Sequence, residues 1–156
     1  SDPMLPFVLD VVREYGTNDP NIIIKELNIP VYESWACTLL RVNGFYTKAN
    51  KKQAIFTEPS LNKMQKDVVL AHELGHIKLK HHHARLAFDL LSDEQKEERE
   101  YQANKFAFLL IAHTCLRNDI QMMDGIRDEK QLTYKGVLEL LEVFRETGCY
   151  INPQRE

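Results

Sequence analysis

The segment A-H-E-L-G-H at residues 71–76 constrains the fold of this chain more than any other feature of its sequence. Residues four apart on an α-helix differ by about 40° in direction, so His72 and His76 project side by side from one face. Two imidazoles at this spacing suit one tetrahedral metal ion, and they favour zinc. The pattern therefore predicts a long helix over about residues 60–81 that carries part of a zinc site.

Glu73 is the candidate general base. It lies about 100° around the helix from His72, which puts its carboxylate beside the ion. There it can take a proton from zinc-bound water and later pass it to a leaving amine, while zinc lowers the pKa of that water to about 7. The alternative is that the two histidines are core side chains paired with backbone groups, which their apolar helix face disfavours.

A catalytic zinc site needs a third protein ligand and an open fourth position. His82 has the spacing of the third histidine in H-E-x-x-H-x-x-G-x-x-H, but Leu79 stands where that pattern has its turn-forming glycine. If the helix continues, His81 and His82 point about 120–140° away from His76, and neither reaches the ion. We favour Glu100, at the end of an apolar stripe on the next helix, over its alternative as a solvated charge.

Asn104 follows Glu100 by one helical turn and has two interpretations. It can accept a hydrogen bond from the far nitrogen of His72 or His76 and so hold that ring, or it can be an amide on the helix surface. The nearby basic cluster K-H-H-H-A-R, residues 80–85, we interpret as a solvated face near a helix C-terminus rather than a nucleic-acid or second metal site.

The rest of the chain predicts an α+β fold. Helical periodicity marks residues 4–15, about 18–27, 91–113 and 132–148, with Asn18 or Asp19, Ser92 and Thr133 as candidate caps. Between about residues 29 and 58, β-branched and aromatic runs, including T-L-L-R-V-N-G-F-Y-T-K-A, predict a small, mostly antiparallel sheet that ends in a hairpin.

Length and composition indicate one globular domain, which we assign to residues 4–150, with Ser1 to Pro3 as an expression remnant. The net charge of −3 gives no general attraction to nucleic acid, and no apolar run approaches the roughly 18 residues that would span a membrane. Three widely spaced cysteines and the absence of a signal-like start favour a cytoplasmic location with free thiols.

The segment A-H-E-L-G-H, followed some two dozen residues later by E-R-E-Y-Q-A-N-K-F-A-F-L-L, resembles the ImmA/IrrE family of zinc metallopeptidases. The signature of that family pairs A-H-E-x-G-H with E-x-x-A-N-x-F-A, and the likeness extends from about residue 10 to 112. The resemblance implies a gluzincin-like zincin domain with one catalytic zinc ion. It also implies site residues: ligands His72, His76 and Glu100, and the base Glu73.

Short ImmA-like members resemble anti-repressors of phages and mobile elements, which cleave a helix-turn-helix repressor. The resemblance therefore implies a protein partner of that type, and direct nucleic-acid binding is not expected. In zincins the strand before the metal-binding helix commonly forms the edge along which a peptide pairs, so we predict substrate-binding residues Gln53, Ala54, Ile55, Phe56 and Thr57. The alternative function is a non-catalytic zinc-binding regulator that sequesters a repressor.

Overall fold

The computed structural model describes residues 3–81, 91–116 and 132–146. In chain order, these residues form the helices and strands α1 (Met4–Tyr15), α2 (Pro20–Glu26), β1 (Val31–Glu33), α3 (Ala36–Leu40), β2 (Gly44–Ala49), β3 (Lys52–Thr57), α4 (Lys63–Lys78), α5 (Asp93–Leu116) and α6 (Tyr134–Glu146). The predicted α+β class is confirmed. Within the described residues, no helix is both long enough and apolar enough to cross a membrane.

The first two helices lie where their sequence signals predict them. Helix α1 ends at Gly16, whose left-handed backbone (φ 69°) is readily adopted by glycine. Helix α2 begins after Asp19, whose side chain accepts a hydrogen bond from the backbone N–H of Asn21, and Pro20 occupies its first position. Both helices contribute buried side chains to the main hydrophobic core.

Helix α3 corrects one expectation. The run T-L-L, predicted to begin a strand, belongs to a short helix that ends at Arg41 in the left-handed conformation (φ 57°). The side-chain oxygen of Ser34 accepts from the backbone N–H of Ala36 at 3.1 Å, so a local turn competes successfully with β-structure here. Strand β2 therefore begins only at Gly44.

The sheet has the order β1-β3-β2 and is mixed rather than wholly antiparallel. The predicted hairpin is present, since β2 pairs antiparallel with β3, whereas β1 pairs parallel with β3. Strand β3 is thus the central strand. The expectation that it forms a free edge is wrong, because Gln53, Ala54, Ile55, Phe56 and Thr57 all pair with β2 and the last three also pair with β1.

Helix α4 begins after Asn62, which forms a capping box with Gln65 through hydrogen bonds of 2.9 and 2.8 Å. It ends at Lys78, a little earlier than predicted. Its inner face packs on the sheet, and its other buried side chains meet α5 in the core. This packing holds residues 72–76 between the sheet and a second long helix.

Helix α5 has the predicted capping box, in which the Ser92 hydroxyl accepts from the Gln95 backbone N–H and the Gln95 side chain accepts from the Ser92 backbone N–H. Helix α6 begins after Thr133, whose hydroxyl accepts from the backbone N–H of Gly136 as predicted. Gly148, the predicted end of α6, lies outside the described residues. The single domain over residues 4–150 stays a prediction.

Candidate functional site

Helix α4 presents His72 and His76 on its face toward α5. Their Nε2 atoms lie 3.1 Å apart, as the four-residue spacing predicts. His76 is 4% exposed and His72 is largely buried, so both rings are removed from bulk water. When both rings carry hydrogen on Nδ1, the two facing Nε2 atoms each present a lone pair, and a cation between them would satisfy both.

Glu100 reaches this pair from α5. Its two carboxylate oxygens lie 3.4 Å from His72 Nε2 and 2.6 Å from His76 Nε2. The Glu100 side chain is 51% exposed, so the site lies open to solvent on this side. Zinc bonds of about 2.0–2.1 Å in a tetrahedral arrangement place ligand atoms about 3.3 Å apart. The distances from His72 Nε2 to His76 Nε2 (3.1 Å) and to Glu100 (3.4 Å) are close to this value, whereas the distance from His76 to Glu100 (2.6 Å) is shorter.

The mutual contacts shift the pKa values of these groups in opposite directions. Burial of Glu100 alone would raise its pKa, but hydrogen bonds to His72 and His76 outweigh burial and lower it. Burial of His72 alone would lower its pKa, but Glu100 and the charge of Glu73 outweigh burial and raise it. Glu100 and His72 thus stabilise each other's charged forms.

Glu73 lies beside the two imidazoles rather than across from them. Its Oε2 atom is 3.8 Å from His72 Nε2, and its carboxylate accepts a hydrogen bond from the backbone N–H of Tyr46 in β2. Burial raises the pKa of Glu73, while the positive charges of His72 and His76 oppose that rise. A carboxyl group with a raised pKa is a stronger base, so this environment suits proton transfer.

Together these side chains could hold a metal ion. The ligand atoms of His72, Glu73 and His76 all lie within 4.8 Å of one another, and Glu100 approaches the two imidazoles from the facing helix. Glu100 lies nearer than Glu73 to His72 Nε2, at 3.4 Å against 3.8 Å, and it also lies 2.6 Å from His76 Nε2. All four side chains predicted for the metal and its base are therefore in one place.

The family model Peptidase_M78, described as the IrrE N-terminal-like domain, matches residues 38–146, which is more than half of the chain. The chain belongs to this family. The resemblance to ImmA/IrrE proteins is thereby confirmed, and membership of a peptidase family indicates a metallopeptidase-type function. Comparison with curated proteins and with solved structures gave no match.

Within this Peptidase_M78 domain, Asn104 contacts His72. Asn104 Oδ1 lies 2.7 Å from His72 Nδ1, and Asn104 Nδ2 donates to the backbone oxygen of Leu132 at 2.9 Å. Because the amide nitrogen faces Leu132, the amide oxygen faces the imidazole and accepts its Nδ1–H. Asn104 is 6% exposed, so it is not the surface amide of the alternative interpretation.

His81 is a site residue that the sequence reasoning missed. The prediction that it points away from His76 assumed a continuing helix, but α4 ends at Lys78 and Lys80 turns the chain back with a left-handed backbone (φ 59°). His81 Nδ1 lies 3.1 Å from His76 Nδ1, on the side of that ring away from Glu100. Burial, followed by the charge of His76, lowers the pKa of His81 to about 4.

His82 and His83, the other histidines of the cluster, lie outside the described residues. No glycine marks the turn at Lys80, so the sequence signal that could have exposed it is absent. His81 contacts the far side of His76 rather than the point where the Nε2 atoms converge. It is therefore placed to contact His76 and does not join the four side chains that could hold a metal.

The sheet edge nearest to Glu73 is β2. Ile55 donates its backbone N–H to the backbone oxygen of Pro30, on the β1 side. The backbone N–H and C=O of Tyr46, which is paired with Ile55, therefore point away from β3. The N–H of Tyr46 accordingly points to the free edge, where it meets Glu73. The main-chain edge beside the site thus belongs to β2, and the predicted residues 53–57 lie one strand further in.

Proposed function

We propose that this chain is a zinc-dependent endopeptidase that hydrolyses a peptide bond in a protein partner. The observation that carries the proposal is that two imidazoles and two carboxylates lie together and that the two carboxylates differ in position. Glu100 lies near both Nε2 atoms, whereas Glu73 is buried beside the imidazoles. A purely structural zinc site has four protein ligands and no use for an adjacent base. The donor set, two imidazoles and one carboxylate, suits a catalytic zinc.

His72, His76 and Glu100 would hold the ion. When bound, zinc supplies Lewis acidity, which lowers the pKa of water to about 7 and polarises a substrate carbonyl. The Nδ1–H that His72 donates to Asn104 leaves the Nε2 lone pair of His72 free for coordination. The amide thus selects the imidazole tautomer that a metal ligand requires.

Glu73 would move the proton. Its carboxylate accepts the proton of the attacking water and then gives it to the departing amine nitrogen, so the residue is regenerated in its basic form. The hydrogen bond from the Tyr46 backbone holds the carboxylate in position. Its burial keeps the group away from competing water and raises its basicity.

We also propose that the substrate lies along β2. A peptide in extended conformation can add to an exposed sheet edge through main-chain hydrogen bonds. The edge of β2 is free of strand pairing among the described residues, and Tyr46 brings it directly to Glu73. A peptide on this edge would present its carbonyl groups beside the base.

The partner that we propose is a helix-turn-helix repressor, acted on in the cytoplasm. This part of the proposal rests on the resemblance of the chain to short ImmA-like proteins. A repressor folded in the cytoplasm offers loops and linkers that can adopt the extended conformation that edge pairing requires.

The direct test compares wild type with Glu73→Gln. Both proteins would be assayed for bound zinc and then incubated with the helix-turn-helix protein encoded in a neighbouring reading frame, and fragments would be followed by mass spectrometry. We expect equal zinc content and a cleavage rate about 10²–10⁴-fold lower in the variant. Glu97→Gln, on the exposed surface of α5, is the matched control and should cleave normally.

Identical treatment of the repressor by wild type and Glu73→Gln would contradict the proposal. Binding without cleavage by both proteins would indicate a regulator that sequesters its partner. Loss of zinc from Glu73→Gln would mean that Glu73 is a ligand rather than the base.

A further inference from the structure

We infer that His81 is a positioning residue that holds the imidazole of His76 in the tautomer and orientation needed to bind the metal. This inference rests on the proposed function, because it assigns a role at the same zinc site. It concerns the side of His76 that faces away from Glu100, where His81 Nδ1 lies 3.1 Å from His76 Nδ1.

His81 is fixed by contacts to both neighbouring helices. Its backbone N–H donates to the backbone oxygen of His76 at 2.8 Å, and its Nε2 lies 2.8 Å from Oε1 of Gln102 on α5. The residue is 7% exposed. A buried ring held at its backbone and at both nitrogens has little freedom to turn.

The hydrogen bonds that link Glu98, Gln102 and His81 all donate in one direction, toward Glu98. A carboxylate only accepts, so the Gln102 amide nitrogen, 3.3 Å away, must face Glu98. The Gln102 oxygen then faces His81, and the only proton available between them is the Nε2–H of His81. Glu98 and Gln102 therefore set the tautomer of His81.

That tautomer determines which ring nitrogen of His76 carries the hydrogen. A neutral His81 with hydrogen on Nε2 has a lone pair on Nδ1, which can only accept from His76. His76 therefore carries its hydrogen on Nδ1, and its Nε2 lone pair points toward His72 and Glu100. Asn104 imposes the same arrangement on His72, so each of the two imidazoles has its own acceptor.

The test measures zinc affinity, by competition with a chromophoric chelator, in wild type, His81→Leu and His81→Asn. Leucine fills the space without an acceptor, whereas the Asn oxygen stands at the same position along the side chain as Nδ1. We expect His81→Leu to bind zinc about 10–100-fold more weakly and His81→Asn to recover most of that loss. The visible spectrum of bound cobalt should change in His81→Leu and resemble wild type in His81→Asn.

Gln102→Leu is a second variant that leaves His81 in place and removes the group that selects its tautomer. It should weaken zinc binding less than His81→Leu does. This variant keeps the inference testable if His81→Leu fails to fold, because Gln102 is only partly buried.

Wild-type affinity in both leucine variants would overturn the inference, as would equal weakness of His81→Asn and His81→Leu, which would indicate packing alone. These outcomes are distinct from failure of the proposed function. If wild type itself bound no zinc, or bound it and cleaved nothing, the function would fail whatever the variants did.

Discussion

The amide of Asn104 connects His72 to the segment just before α6. Its oxygen contacts the imidazole of His72, and its nitrogen contacts the backbone oxygen of Leu132, just before α6. Because these groups are buried, removal of either contact leaves a polar atom without a partner. We therefore expect the same residue to affect both metal binding and folding stability.

Two substitutions of Asn104 should separate these effects. Asn104→Asp keeps an acceptor for His72 but loses the donor to Leu132, so it should lower the free energy of unfolding by about 1–3 kcal/mol and largely retain zinc. Asn104→Leu loses both contacts and should also weaken zinc binding about 10–100-fold. Urea denaturation and chelator competition measure the two quantities. Equal zinc affinity in the two variants would show that the acceptor does not matter.

At the residue scale, the sequence was sufficient to predict that His72, His76 and Glu100 meet. His72 and His76 converge because helical geometry alone determines their relation, and Glu100 joins them because it ends the face of α5 that packs on α4. His81 could not be predicted in this way. Its position depends on a left-handed backbone at Lys80, which a residue other than glycine seldom adopts and no neighbouring residue signals.

At the element scale, the separation of α4 and α5 depends on Gly75. A Cβ atom added there would lie 3.1 Å from the Phe106 ring and 3.2 Å from the backbone of Ala103. Ala103 is a small residue of α5, and together with Gly75 it lets the two helices approach closely. This approach brings Glu100 within reach of the imidazoles, because Glu100 lies one turn before Ala103 on the same helix.

Gly75→Ala should push the helices apart by a few tenths of an ångström. We expect a loss of about 1–3 kcal/mol in the free energy of unfolding, together with weaker zinc binding, because the backbone of Ala103 cannot move aside as a flexible side chain could. Gly136→Ala is the matched control. A Cβ there meets nothing nearer than 3.4 Å inside α6, so alanine should raise the free energy of unfolding by about 0.4–1 kcal/mol.

Denaturation curves and zinc affinities of both glycine variants would check this account. It would be contradicted if Gly75→Ala were as stable as Gly136→Ala and bound zinc with wild-type affinity.

Helices and the hairpin could be predicted from local patterns, but the arrangement of the sheet could not. Periodicity and capping residues predicted α1, α2, α4, α5 and α6 because those signals lie within each element. Strand β1 is only three residues long, and its parallel pairing with β3 joins segments more than 20 residues apart. No local pattern specifies such a pairing, and for that reason β3 was wrongly expected at the edge.

At the scale of the whole molecule, a bound ion would link the two longest helices. His72 and His76 come from α4 and Glu100 comes from α5, so zinc would bind the folded chain far better than the unfolded chain. Ligand binding of this kind stabilises by about 2.7 kcal/mol when the free ligand is at 100 times its dissociation constant. For a chain of this length, such a gain raises the Tm by about 5–10 °C.

The most direct measurement is the zinc-dependent shift in Tm for wild type, Glu73→Gln and Glu100→Gln, each recorded with excess chelator and with zinc. If Glu100 is a ligand and Glu73 is the base, zinc should raise the Tm of wild type and Glu73→Gln alike and should raise that of Glu100→Gln little at the same zinc concentration. A full shift in Glu100→Gln, or its loss in Glu73→Gln, would contradict this assignment of the two carboxylates.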